Sequence, residues 1–140
     1  MFEVLAKNDF VVSSMDIHTS SVEFVDVEVW TKADTMDHIS YDNRNEWKKV
    51  LSVKVLGKGL NQATTLPGFT NYIEMSANRV RSFYVTLKTR QMIFSRGSTL
   101  GKEYVSNTDV GIKTGILRTY LFGESHSPWD WDGRIHYITR

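Results

Sequence analysis

A chain of 140 residues with 17 Lys and Arg against 16 Asp and Glu carries a net charge of +1, so it lacks the basic footprint of a nucleic-acid binder and the polybasic cluster of a membrane-surface protein. No cysteine is present, which excludes disulfides and thiolate metal sites, and no run approaches the roughly 18 apolar residues that a membrane span needs. The length fits one domain spanning 1–140, and a hydrophobic share of 41% suffices for one core.

From the N-terminus onward the helical period fails nearly everywhere, and short segments rich in Val, Ile, Thr, Phe and Tyr alternate with period two. Residues 2–5 form a weak strand. Phe10–His18 sets Met15 and Ile17 on one side, with Ser14, Asp16 and His18 on the other. Residues 22–30 are the clearest strand: Val25, Val27 and Val29 share one face, while Phe24, Asp26 and Glu28 share the face expected to meet solvent. The connection 31–46 is long and polar, and 43–49 has room for one helical turn. Residues 47–55 place Trp47, Leu51, Val53 and Val55 together; Trp30 and Trp47, at strand ends, are expected to cap the core. A weak run at 72–75 precedes 81–88, where Phe83, Val85 and Leu87 alternate with Ser82, Tyr84 and Thr86. Segments 92–95, 110–114 and 134–138 complete about eight or nine strands. That pattern predicts an all-β fold, a two-sheet antiparallel β-sandwich of jelly-roll-like form. Val27, Val29, Leu51, Val53, Phe83, Val85 and Leu87 are the expected core.

The second half carries a recognisable order of elements. Arg81-Ser82-Phe83-Tyr84-Val85-Thr86 is followed by Phe94-Ser95-Arg96-Gly97 and Val105-Ser106-Asn107-Thr108-Asp109-Val110. Then come Tyr120-Leu121-Phe122-Gly123, Ser127-Pro128 and Trp131-Asp132-Gly133-Arg134-Ile135-His136-Tyr137. This order resembles a secreted β-sandwich module of multidomain surface proteins from marine bacteria and diatoms. In that group an aromatic-Gly element precedes a Ser-Pro step and a Trp-Asn/Asp-Gly turn into the last strand. The resemblance implies an extracellular or cell-surface setting, as one domain of a larger protein. No catalytic signature defines the group. Residues 1–5 lack the basic start of a signal peptide, which that setting explains by excision from a longer chain.

Catalytic residues are not expected. His18, His38, His126 and His136 sit in no nucleophile motif. Asp130 with Asp132, or Asp37 with Asp42, are the carboxylate pairs that a small carbohydrate-active enzyme would use. No metal site and no cofactor are expected. Asp34, Asp37, Asp42 and Asn43 are hard-oxygen candidates for Ca²⁺, without the spacing of an EF-hand loop. A zinc site at His126 and His136 lacks a third ligand.

Aromatics are the most suggestive side chains. Trp129 adds a large ring that the resembled pattern does not require, whereas Trp131 belongs to its terminal turn. An indole beside carboxylates is a general recipe for recognising polar rings. Trp129, Asp130, Tyr41 and Asp42 are therefore the candidate ligand-binding residues, on two loops expected at 31–46 and 126–134. The expected function is a non-catalytic binding or adhesion module whose partner is a carbohydrate or a surface protein. The alternatives are the small enzyme and a purely architectural spacer.

Overall fold

Val25, Val27 and Val29 point inward together, and this alternation organises the largest sheet. The computed structural model describes residues 1–36 and 43–140. Among them are thirteen strands, one 3-10 turn at Arg44–Glu46 and no α-helix. Strands β1 (Phe2–Ala6), β2 (Phe10–His18), β3 (Phe24–Ala33), β4 (Lys48–Leu56), β5 (Ala63–Thr65), β6 (Ile73–Met75) and β7 (Val80–Leu87) make up the first part. They are followed by β8 (Phe94–Arg96), β9 (Glu103–Ser106), β10 (Val110–Lys113), β11 (Gly115–Arg118), β12 (Ser125–Trp131) and β13 (Arg134–Thr139).

All the pairings are antiparallel. One six-stranded sheet runs β4-β3-β7-β1-β10-β9. A second layer is built on β2, with β13 along one side and β5 and β6 sharing the other. A small sheet, β11-β12-β8, completes the fold. Phe2, Val4, Phe83 and Val85 from the large sheet meet Phe10, Val12, Met15 and Ile17 from β2 in one buried cluster, so the layers stack as a sandwich. Burying each such side chain contributes about 1.5–3 kcal/mol.

Five of the seven expected core residues, Val27, Val29, Phe83, Val85 and Leu87, are buried. Leu51 and Val53 are half-buried and pack against the cluster, because β4 is an edge strand. The exposed Lys48, Lys49 and Lys54 keep this nine-residue edge from recruiting another strand.

Thirteen strands replace the expected eight or nine. The four additions are β5, β9, β11 and β12. Three of them are only three or four residues long, too short for alternation to register. The fourth, β12, reads Ser-His-Ser-Pro-Trp-Asp-Trp and carries a proline, which argues against a central strand. Its register against β11 shifts between Gly115 and Leu117, which oppose Trp129 and His126, so Pro128 sits in a bulge and costs no regular ladder bond.

Trp47 does not share a face with Leu51. Val29 opposes Leu51 but Trp30 opposes Lys49, leaving Val50 as an extra residue. One inserted residue inverts every side chain beyond it. Trp47 therefore joins Trp30 on the outer face of the large sheet, where both pack with Met1, Tyr84 and Ile116 in a second cluster instead of capping the first.

Asp16 and Glu28, expected to meet solvent, are 4% and 5% exposed. Strand β13 lays His136 against Asp16, with Nε2 2.9 Å from Oδ1. Glu28 is covered from much further along the chain, as described below.

Burial raises the Tyr84 hydroxyl above its ordinary pKa of 10.0, and burial followed by the Asp130 and Asp132 carboxylates raises that of Tyr104. In the unfolded chain both would ionise near 10, so their contribution to stability is complete below that pH and is lost above it. An ultraviolet phenolate titration should therefore show Tyr84 and Tyr104 ionising only as the domain unfolds. Normal titration of both in a folded domain would contradict their burial.

Candidate functional site

The second aromatic cluster exists because a turn folds down on it. Between β11 and β12, residues 119–123 close through Gly123 N–H to Thr119 O (3.0 Å) and Thr119 N–H to Glu124 O (3.0 Å). The Tyr84 hydroxyl donates to Thr119 O (2.7 Å) and accepts from Phe122 N–H (3.2 Å). Arg118 Nη2 donates to Phe122 O (2.8 Å). The Phe122 ring stands edge-on to Tyr84, Trp30 and Trp47, with centroids 4.9, 5.3 and 6.2 Å away. Its φ of 50° is left-handed, a conformation costing an L-residue about 1–2 kcal/mol, and this packing and hydrogen bonding hold it there.

The anchored turn presents Tyr120. Its hydroxyl donates to Glu28 Oε2 (2.9 Å), and Glu28 Oε1 accepts from Trp30 Nε1 (2.9 Å). The bond to Glu28 comes first among the causes that hold the Tyr120 hydroxyl above the ordinary phenol range. Glu28 is therefore a buried acceptor with a donor on each oxygen. Glu28→Gln keeps the shape but turns one acceptor into a donor facing a donor. We expect it to cost about 1–3 kcal/mol, read as a lower denaturant midpoint. An unchanged midpoint would show that these bonds contribute nothing.

Beside Tyr120 lies a cleft of about 280 Å³. Its apolar floor comes from the half-buried Met92, Phe94 and Leu117, backed by the buried Val85 and Leu87 of β7. Polar walls come from Thr86, from the exposed Lys88, Thr89 and Arg90, and from Arg118, Thr119, Glu124 and His126. Lys88 Nζ lies 6.0 Å from the centre of the Tyr120 ring, and His126 Nε2 lies 3.9 Å from Glu124 Oε2. No family model, curated protein or solved structure matches the chain.

Of the four residues singled out from the sequence, Tyr41 and Asp42 lie outside the described residues, as do Asp37 and His38. Trp129 and Asp130 lie on strand β12 and not on a loop. Being consecutive, their side chains leave opposite faces of that strand, so one flat patch does not collect both. Asp130 Oδ1 accepts from Thr114 Oγ1 (2.6 Å) beside Gly97, and Trp129 is half-buried opposite Gly115 and Arg96. Neither lines the cleft.

Asp132, the other half of the paired-carboxylate idea, accepts from Ser95 Oγ. His126 and His136 belong to no cluster of three or more His, Asp or Glu among the described residues.

The sequence signals the cleft only through the aromatic-Gly element Tyr120-Leu121-Phe122-Gly123, which is the anchored turn itself. Nothing local connects it with Glu28, 92 residues away.

Proposed function

We propose that this domain is a non-catalytic binding module and that the cleft beside Tyr120 receives a carbohydrate. The observation that carries this reading is a preformed concavity joining an apolar floor to polar walls, with an aromatic residue locked at its rim. Its volume, about 280 Å³, lies near the lower end of small-ligand sites, about 300 Å³. Tyr120 is 37% exposed, so part of its ring is free to contact a sugar while its hydroxyl is pinned to Glu28. Pinning removes rotamer freedom before binding, which lowers the cost of association.

The non-catalytic part rests on the carboxylates. Glu124 is the one carboxylate among the described residues that line the cleft, so no carboxylate pair faces a sugar there, and Glu28 behind the rim is committed to two donors. The jelly-roll-like winding of such modules is supported by β1, β2 and β3, which alternate between the two layers. An adhesive role outside the cell, as part of a larger protein, is the setting in which a small rigid sandwich of this kind would serve.

The test is binding of the purified domain to an array of immobilised oligosaccharides, repeated with Tyr120→Ala. Retention should fall about tenfold in the variant, the equivalent of one aromatic contact. Retention unaffected by Tyr120→Ala would remove the cleft from the account, and release of shortened sugars by the wild type would make the domain an enzyme.

A further inference from the structure

The chain is nearly neutral, yet its cleft is not. Among the described residues that line it, Lys88 and Arg90 are exposed cations and Glu124 is the one carboxylate, which lies toward His126. Glu28, just behind the rim, is occupied on both oxygens. Lys88 and Arg90 are exposed on the turn that leaves β7, and Arg90 has no ion-pair partner among the described residues. A site for a neutral sugar balances donors against acceptors, because each sugar hydroxyl is both. Here exposed cations outnumber carboxylates among the described lining residues, which suits an anionic ligand. A guanidinium presents a planar fork that matches carboxylate and sulfate oxygens, and a lysine ammonium adds a mobile point charge.

We propose that the cleft selects an anionic saccharide, its carboxylate or sulfate held by Lys88 and Arg90 while a ring of the sugar lies over the apolar floor beside Tyr120. The inference rests on the binding-module reading above. It adds the charge of the ligand, which that reading leaves open. The half-buried Met92, Phe94 and Leu117 side chains supply the apolar surface, and the turn 88–90 supplies the charge.

The experiment is an array carrying neutral, uronic-acid and sulfated oligosaccharides, probed with the wild type, with a Lys88→Ala/Arg90→Ala double variant and with Glu124→Gln. Retention should be confined to acidic members, fall at least tenfold in the double variant and weaken as salt rises. It should strengthen in Glu124→Gln. Uronic-acid members retained without sulfated ones assign the carboxylate, and the converse assigns the sulfate. Lys88 and Arg90 are exposed, so the double variant should melt with the wild type, and a matched melting curve ties lost binding to the lost charges. Retention on neutral sugars alone would overturn the anionic assignment and leave the binding module standing. Retention on none would overturn both. Acidic sugars bound equally by the double variant would place them outside this cleft.

Discussion

Replacing Trp131 with Ala is expected to destabilise the domain by about 3–5 kcal/mol, a large part of the 5–15 kcal/mol that holds a typical domain together. Trp131 is 3% exposed and stacks on Phe2, with ring centroids 4.5 Å apart and planes inclined by 11°. Phe2 in turn stacks on Phe83 at 5.9 Å, so removing the indole opens a cavity where β12 meets the large sheet. The same ring packs over Gly133, where a Cβ would collide with it and with Asp16 O, so the terminal turn closes only around glycine. The indole N–H has no hydrogen-bond partner among the described residues. Trp131→Phe should therefore lose volume and no bond, costing clearly less than Trp131→Ala. Denaturant unfolding measures both, and equal costs would show that the ring does not fill the core.

Phe122→Ala should have the next largest effect, about 3 kcal/mol, because the ring is half-buried among Trp30, Trp47 and Tyr84. Its consequence differs in kind. The ring is the anchor that brings residues 119–123 onto the outer face of the large sheet, and Tyr120 reaches Glu28 only from there. Sugar retention should consequently fall about tenfold in Phe122→Ala, as in Tyr120→Ala, at temperatures where the domain is still folded. Phe122→Leu, which keeps most of the volume, should recover both stability and retention in part. A folded Phe122→Ala domain with undiminished retention would uncouple the turn from the site.

The strands that read clearly from the sequence are those that set apolar residues at alternate positions toward the core. Met15 with Ile17 and the valines at 25, 27 and 29 show the inner faces because successive side chains leave opposite sides of a strand, whereas burial of the other face, as at Asp16 and Glu28, leaves no apolar mark. What stayed hidden depended on partners distant in sequence. The bulge at Val50 inverts Trp47, and no alternation rule finds a bulge without its opposing strand. Glu28 reads as a surface acid until Tyr120 closes over it. β12 hides because proline and polar residues interrupt it, and only pairing with β11 and β8 makes it a strand.

The candidate site was legible in kind and not in place. An aromatic beside polar groups was the expected recipe, and Trp129 with Asp130 was the local match. The cleft instead assembles Tyr120 with residues 86–90 of β7 and its turn, an adjacency that sheet order creates and chain order conceals.

The most direct test of a ligand cleft beside Tyr120 is amide chemical-shift mapping of the isotope-labelled domain, titrated with whichever array oligosaccharide it retains most strongly. The account predicts that the largest saturable shifts fall on Lys88, Thr89, Arg90, Tyr120, Glu124 and His126, with the amides of β13 unmoved. Shifts gathered instead around Trp129 and Arg96, with residues 88–90 and 120 silent, would contradict it.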